Sequence, residues 1–78
     1  MPNAKRRPIQ ERIGSAIRKR REALKYSQDD FADHVGMHRS YYGALERGKK
    51  NLQLSTLEKV CEGLGDPMWE IVRDAESQ

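Results

Sequence analysis

The side chains with the greatest capacity for chemistry are crowded into the middle of the 78-residue chain. Arg39, Ser40, Arg47, Lys49, Lys50 and Asn51 follow one another there, set among aromatic, small and aliphatic residues, with Glu46 the single acid between them. A guanidinium group offers a planar fork of donors and an amine offers a point charge; both suit recognition of a polyanion better than bond making. Catalytic groupings are missing. There is no Ser/His/Asp arrangement, no phosphate-cradling glycine loop and no paired carboxylates, so no enzyme is expected. His34 and His38 have the spacing of a metal pair on one helix, but Gly36 falls between them and no third acidic ligand is evident. No metal, cofactor or small-molecule ligand is therefore expected. Cys61 is the single cysteine, which excludes an internal disulfide and leaves it as inert packing.

Charge is unevenly spread. The net +3 conceals +7 over residues 1–25, −3 over 26–37, +3 over 38–51 and −4 over 52–78. A basic N-terminal half and an acidic C-terminal end point to a polyanion on one face and a different contact on another. With 36% apolar and 35% charged residues, no membrane span is expected. The basic N-terminus lacks an apolar leader segment, so a cytoplasmic, nucleoid-associated location is expected.

The elements that must position these groups are all helical. Apolar residues recur at helical spacing and never alternate with period two, so the expected class is all-α with no strands. Residues 1–8 read as a mobile basic arm, 9–74 as one domain and 75–78 as a disordered tail. The first helix is expected over about 9–25, with Ile9, Ile13, Ile17 and Leu24 on its inner face. Ser27 is an N-cap for a second, with Asp29 and Asp30 in the first turn and Gly36 at its end. A third runs from about His38 to Arg47 and stops at Gly48, with Tyr42 and Leu45 inward. The run Ser55-Thr56-Leu57-Glu58 reads as a capping box opening a fourth, which ends at Gly65. Asp66-Pro67 reads as N-cap and first residue of a fifth, which frays from Asp74 onward.

Two short helices joined through a glycine, the second flanked by basic residues, form the layout of a helix-turn-helix. With Tyr42 set inward, the helical wheel turns Ser40, Gly43, Ala44 and Arg47 away from the core, and Arg39 lies in the first turn. Gly43 and Ala44 are small, which would let the helix backbone approach base edges. An arginine fork matches guanine O6 and N7, worth about 1–3 kcal/mol of discrimination.

The run from Ser27 to Gly48 resembles the helix-turn-helix of the Cro/repressor (XRE) family, through Ser27-Gln28, Ala32, Gly36, Tyr42 and Glu46-Arg47-Gly48. Leu54, Leu57 and Leu64-Gly65 extend the match, which covers about residues 9–72. His38-Arg39-Ser40-Tyr41 is further similar to the small controller proteins of restriction–modification systems. The resemblance implies a five-helix DNA-binding domain and roles for its residues. Arg39, Ser40 and Ala44 match positions facing base edges. Gln28, His38, Tyr41, Lys49, Lys50 and Asn51 match positions near phosphates, and Gln28 also braces the recognition helix. Arg21 and Glu46 match a buried ion pair tying the first helix to the end of the third. Ala44 departs from the longer polar residue common in the family, which shifts weight toward DNA shape.

The function expected from these readings is sequence-specific regulation of transcription, with a homodimer on operator half-sites of double-stranded DNA. A monomer would make too few contacts for tight specific binding. The fifth helix offers an axis: Met68, Ile71 and Val72 share one side, and Trp69 lies about 100° away around the helix. The expected interface is Met68, Trp69, Ile71, Val72 and Arg73; the competing reading folds Trp69 back onto the monomer core. Two other functions compete: an antitoxin-type module that neutralises a partner protein, and a non-specific architectural DNA binder.

Overall fold

Apolar spacing, caps and glycine stops produce five helices in a computed structural model that describes residues 6–78. They are α1 (Ile9–Ala23), α2 (Gln28–His34), α3 (Arg39–Glu46), α4 (Leu54–Leu64) and α5 (Met68–Glu76). No strand occurs among the described residues, as the absence of period-two alternation requires. Phe31, Ile17, Tyr42, Val60 and Ile71 are fully buried, one from each helix, so all five share one core. Phe31 sits at its centre, its ring 5.3 Å from Tyr42 and 5.4 Å from Tyr26. Helix α5 lies antiparallel along α1, so Arg6, Arg7 and Arg12 meet residues 75–78.

The inner face of α1 differs from the expected one. Ile13, Ala16 and Ile17 are buried, but Ile9 and Leu24 are exposed. The helix ends at Ala23, and the inward position one turn beyond Ile17 is occupied by Arg21. A guanidinium takes the place of an aliphatic side chain because its partner lies inside. Arg21 donates from Nε and Nη2 to the two carboxylate oxygens of Glu46, at 2.6 and 3.1 Å. Tyr42 donates its hydroxyl to the same carboxylate at 2.5 Å, and the Gln28 amide donates to it at 2.9 Å. The remaining Arg21 nitrogen donates to the Tyr26 carbonyl at 2.7 Å, which fixes the α1–α2 turn. The Arg21 and Glu46 side chains are 8% and 2% exposed, so this is a buried pair. Burial pushes the Glu46 carboxyl up, but the bonds from Arg21, Tyr42 and Gln28 outweigh it and hold the group below the usual carboxylate range. Burial and the bond to Glu46 push the Tyr42 phenol far up, so it stays a donor.

Gly14 makes this contact reachable. A Cβ there would collide with the carbonyl oxygens of Leu45 and Glu46, so α1 packs directly on the backbone of α3. The turn out of α1 carries a cost: Lys25 has φ +68°, a left-handed conformation that a side chain disfavours.

A second charged cluster joins the far ends of α1 and α5. Arg20 pairs with Asp66 at 2.9 Å, Glu70 at 3.3 Å and Asp74. The bond from Arg20 holds the Asp74 carboxyl below its usual range. Asp66 is therefore engaged by α1 and does not cap α5; Pro67 is the N-cap, without a side-chain bond, and the helix starts at Met68. The expected capping box is also displaced. Helix α4 begins at Leu54 with Gln53 extended before it, which places Ser55 inside the first turn. Its rotation is set by burial of Leu57, Val60, Cys61 and Leu64, and packing outweighs one cap.

An arm over residues 1–8 and a tail over 75–78 were expected, and the described parts of both make contacts. Residues 1–5 lie outside the described residues. Arg6 donates to the Glu76 carbonyl and Arg7 to the Gln78 side chain at 2.5 Å. Cations suit the negative end of α5, where carbonyls lack helical partners. Helix α5 runs on to Glu76 because Ala75, one turn after Ile71, continues the buried stripe. Arg12 donates to the Ala75 carbonyl at 3.0 Å, and Gln78 donates to the Arg12 carbonyl at 2.9 Å.

Two stability measurements check this account. Glu46→Ala leaves the Arg21 charge buried and unpaired and should cost about 3–5 kcal/mol. Glu62→Ala, on an exposed position, should stay within about 0.5 kcal/mol. Because the folded-state pKa of Glu46 is depressed, its contribution is full above the unfolded carboxyl value of about 4.3 and is lost as pH falls through the folded value. Thermal melts should show wild type losing stability below that pH, with a shallower acid limb for Glu46→Gln. Separately, Lys25→Gly relieves the left-handed turn and should stabilise by about 0.5–1 kcal/mol in urea titrations.

Candidate nucleic-acid interface

Helix α2 starts where Ser27 accepts the Asp30 N–H at 3.0 Å, and α2 then ends into Gly36 at φ +70°. That conformation closes the turn, since Met37 donates back to the Ala32 carbonyl at 2.8 Å. His38 opens α3 as its N-cap, with Nδ1 accepting the Ser40 N–H at 3.2 Å. With Nδ1 accepting, Nε2 is the ring nitrogen left to donate. The Glu46 carboxylate holds the other end of α3 against α1 and, through Gln28, against α2. The two helices are thus fixed at the turn and at the buried carboxylate.

Their outer side forms an open polar depression lined by Gln28, Asp29, Arg39, Ser40, Gly43 and Arg47. Arg39 and Ser40 are exposed. Arg39 pairs with Asp29 at 3.3 Å, and both side chains remain open to solvent. Gln28 is half-buried, with its amide on Glu46, so the bracing role lies in plain view. The loop after α3 adds exposed Lys49, Lys50 and Asn51 to one flank. Lys50 Nζ stands 5.8 Å from the centroid of the half-buried Tyr41 ring. Asn51 accepts from Gln10 at 3.4 Å, which links this loop to the start of α1. Arg39, Ser40, Gln28, His38, Tyr41, Lys49, Lys50 and Asn51 therefore belong to the α2–α3 unit and its following loop.

Ala44 does not join them. It is 9% exposed and buried, contrary to its expected place facing bases. The chain turns back at Gly48, and Lys49 donates to the Ala44 carbonyl at 2.9 Å. A methyl group is too short to emerge beside Tyr41 and this returning loop. Gly43 is also buried; a Cβ there would meet the Gln28 and Arg47 side chains at 3.3 Å. Its small size serves packing of α2 on α3. Arg47 is the residue to add. It is exposed on the rim of the depression, and the helical wheel had already turned it away from the core. Asp29 is a second addition, which helix-dipole reasoning alone had explained.

The fifth helix separates into two sides. Ile71 is wholly buried in the chain's own core and is no interface residue. Met68 and Val72 are half-buried. Trp69 is 60% exposed and does not fold back; Arg73 lies over its ring, 5.1 Å from the centroid. Arg73 also approaches Asp74 of its own helix at 3.5 Å.

Among the described residues no group of three His, Cys, Asp or Glu side chains could hold a metal ion, and no helix is long and apolar enough to cross a membrane. The Cys61 thiol is buried, and burial pushes its pKa up.

The helix-turn-helix family profile matches residues 17–67. The control protein C.MunI of Mycoplasma sp is 38% identical over 71 residues, covering 90% of this chain and 96% of that one. The restriction-modification controller protein C.AhdI from Aeromonas hydrophila superposes with a TM-score of 0.76 at 32% identity, over 80% of this chain and 94% of that one. The clp gene regulator ClgR from Corynebacterium glutamicum superposes with a TM-score of 0.89 at 25% identity, over 96% of each chain. With the profile spanning α2, α3 and both members of the buried Arg21–Glu46 pair, the chain belongs to the Cro/repressor (XRE) helix-turn-helix family.

Proposed function

We propose that this protein is a sequence-specific regulator of transcription that sets α3 in the major groove of double-stranded DNA and binds operator half-sites as a homodimer. The observation that carries this reading is the rigid α2–α3 unit, whose outward side presents Arg39, Ser40 and Arg47 while Lys49, Lys50 and Asn51 flank it. A helix about 10–12 Å across fits the major groove, where base edges carry a distinct donor and acceptor pattern. Arg39 reads a guanine edge, and Ser40 serves as a second, adaptable base contact. The donors of Gln28, His38, Tyr41, Arg47, Lys49, Lys50 and Asn51 suit phosphates, which set register without reading sequence. The controller relatives named above make restriction–modification the first system in which to seek an operator, and the cytoplasm the place of action.

The dimer axis lies at α5. A tryptophan exposed to 60% beside half-buried Met68 and Val72 is an apolar surface in want of cover, with Arg73 over its ring. The acids around Arg20 turn this edge away from phosphates. A two-fold axis here would deliver two α3 helices to half-sites about 34–36 Å apart.

Binding measurements on a duplex selected from a random pool test the reading. Arg39→Ala should cost about 1–3 kcal/mol and relax preference at one or two base pairs. Lys50→Ala should weaken all duplexes alike and lower the salt slope by about one. Retained affinity and preference in Arg39→Ala would refute the recognition role. In sedimentation at micromolar concentration, wild type should run as a dimer and Trp69→Ala as a monomer. A monomeric wild type, or a dimeric variant, would remove α5 from the interface.

A further inference from the structure

Asp29 is an acid on a face otherwise built to meet phosphates, and the first turn of α2 is not the only thing it touches. Its carboxylate lies 3.3 Å from Nη1 of Arg39, the residue on which base reading rests. The neighbouring Asp30 makes no such contact; its backbone N–H is held by Ser27. Asp29 follows Gln28, and Gln28 is anchored to the buried Glu46 carboxylate, so the backbone that carries Asp29 is fixed relative to α3. Arg39 by contrast stands at the first residue of α3, with 68% of its side chain exposed and no other partner among the described residues.

We propose that Asp29 is a positioning residue that determines specificity by holding the Arg39 guanidinium over the depression, away from phosphates; this rests on the major-groove reading above. An unheld arginine beside a duplex finds the nearest phosphate, a contact that carries no sequence information. With Nη1 engaged by Asp29, Nε and Nη2 remain as a parallel pair of donors on one edge. That pair matches the two acceptors of guanine and is presented in one orientation. The carboxylate also repels phosphates that would otherwise capture the arginine, so it lowers affinity for arbitrary DNA while raising discrimination. Repulsion of this kind against wrong partners is a recognised source of specificity.

The test compares affinities of the full chain for three probes: a duplex selected from a random pool by wild type, its single-base-pair variants, and random-sequence duplex. Asp29→Ala should lower discrimination at the base pair read by Arg39 by about two- to fivefold, the range of an exposed ion pair, and should raise affinity for random duplex. Asp30→Ala removes the same charge one residue later and should raise all affinities while leaving discrimination unchanged. In an Arg39→Ala background, Asp29→Ala should change discrimination no further. If Arg39→Ala lowers discrimination and Asp29→Ala does not, Asp29 has no positioning role. An equal loss in both backgrounds would show that Asp29 acts without Arg39 and would also overturn the proposal. If Arg39→Ala itself leaves discrimination intact, the major-groove reading falls, and this proposal with it.

Discussion

Four hydrogen bonds converge on the carboxylate of Glu46, and the geometry of the recognition unit depends on them. A single buried charge would cost several kcal/mol, and an ion pair alone often does little better than break even. Here every polar atom has a partner: Arg21 offers two donors, Tyr42 its hydroxyl and Gln28 its amide, and no buried side-chain polar atom among the described residues is left unsatisfied. The cluster draws on α1, α2 and α3 together, so the three helices cannot shift independently without breaking a bond in a dry interior. Apolar contacts would tolerate sliding by a fraction of a turn. A carboxylate that accepts from fixed directions does not, which is what a helix that must match the spacing of base edges requires.

Charge is sorted to the two ends of the molecule by the same logic. Arg21 faces inward to α3, and its neighbour Arg20, about 100° further round α1, faces α5 and gathers Asp66, Glu70 and Asp74. Consecutive arginines thus anchor the reading unit on one side and the C-terminal helix on the other. The acids held by Arg20 lie away from the basic loop of Lys49 and Lys50. On the α2–α3 side the positive charge comes from Arg39, Arg47, Lys49 and Lys50, whereas α5 carries acids that disfavour a polyanion.

Much of this was legible in the sequence, and the failures share one cause. Ser27, Gly36 and Gly48 are local signals with local physics, and they mark the ends of α2 and α3 as expected. Type and order of all five helices follow from apolar spacing together with cap and glycine signals. The misplaced features are those where a side chain finds a partner distant in sequence. Asp66 has the form of a cap, but Arg20 takes its carboxylate. Ala75 was read as tail because alanine is a weak apolar signal, yet α1 lies against it. Leu24 was assigned inward by period, and Arg21 holds the inward place because Glu46 waits there. Ala44 was placed outward by the wheel of α3 and by the resemblance, and the turn at Gly48 brings the chain back over it. The ion pair itself came from family resemblance; composition would never have buried an arginine.

Burial of Gly43 and Ala44 changes what the recognition helix can do. A wheel centred on Tyr42 turns four residues outward, but only Ser40 and Arg47 of these are exposed, with Arg39 beside them. Few side chains are then left to read bases directly. Each good base contact supplies about 1–3 kcal/mol of discrimination, well short of the roughly 4–10 kcal/mol that separates specific from non-specific binding. The remainder has two physical sources. Two-fold symmetry would double every contact, and the exposed tryptophan of α5 marks the surface proposed for its axis. Sequence-dependent groove width and flexibility would supply the rest, read through the phosphate contacts proposed on the flanks of α3. Such a division demands that the grip be rigid, because a protein that can yield does not register the cost of deforming DNA. On the proposed reading, the buried Glu46 junction is therefore as much a part of sequence recognition as Arg39 at the surface.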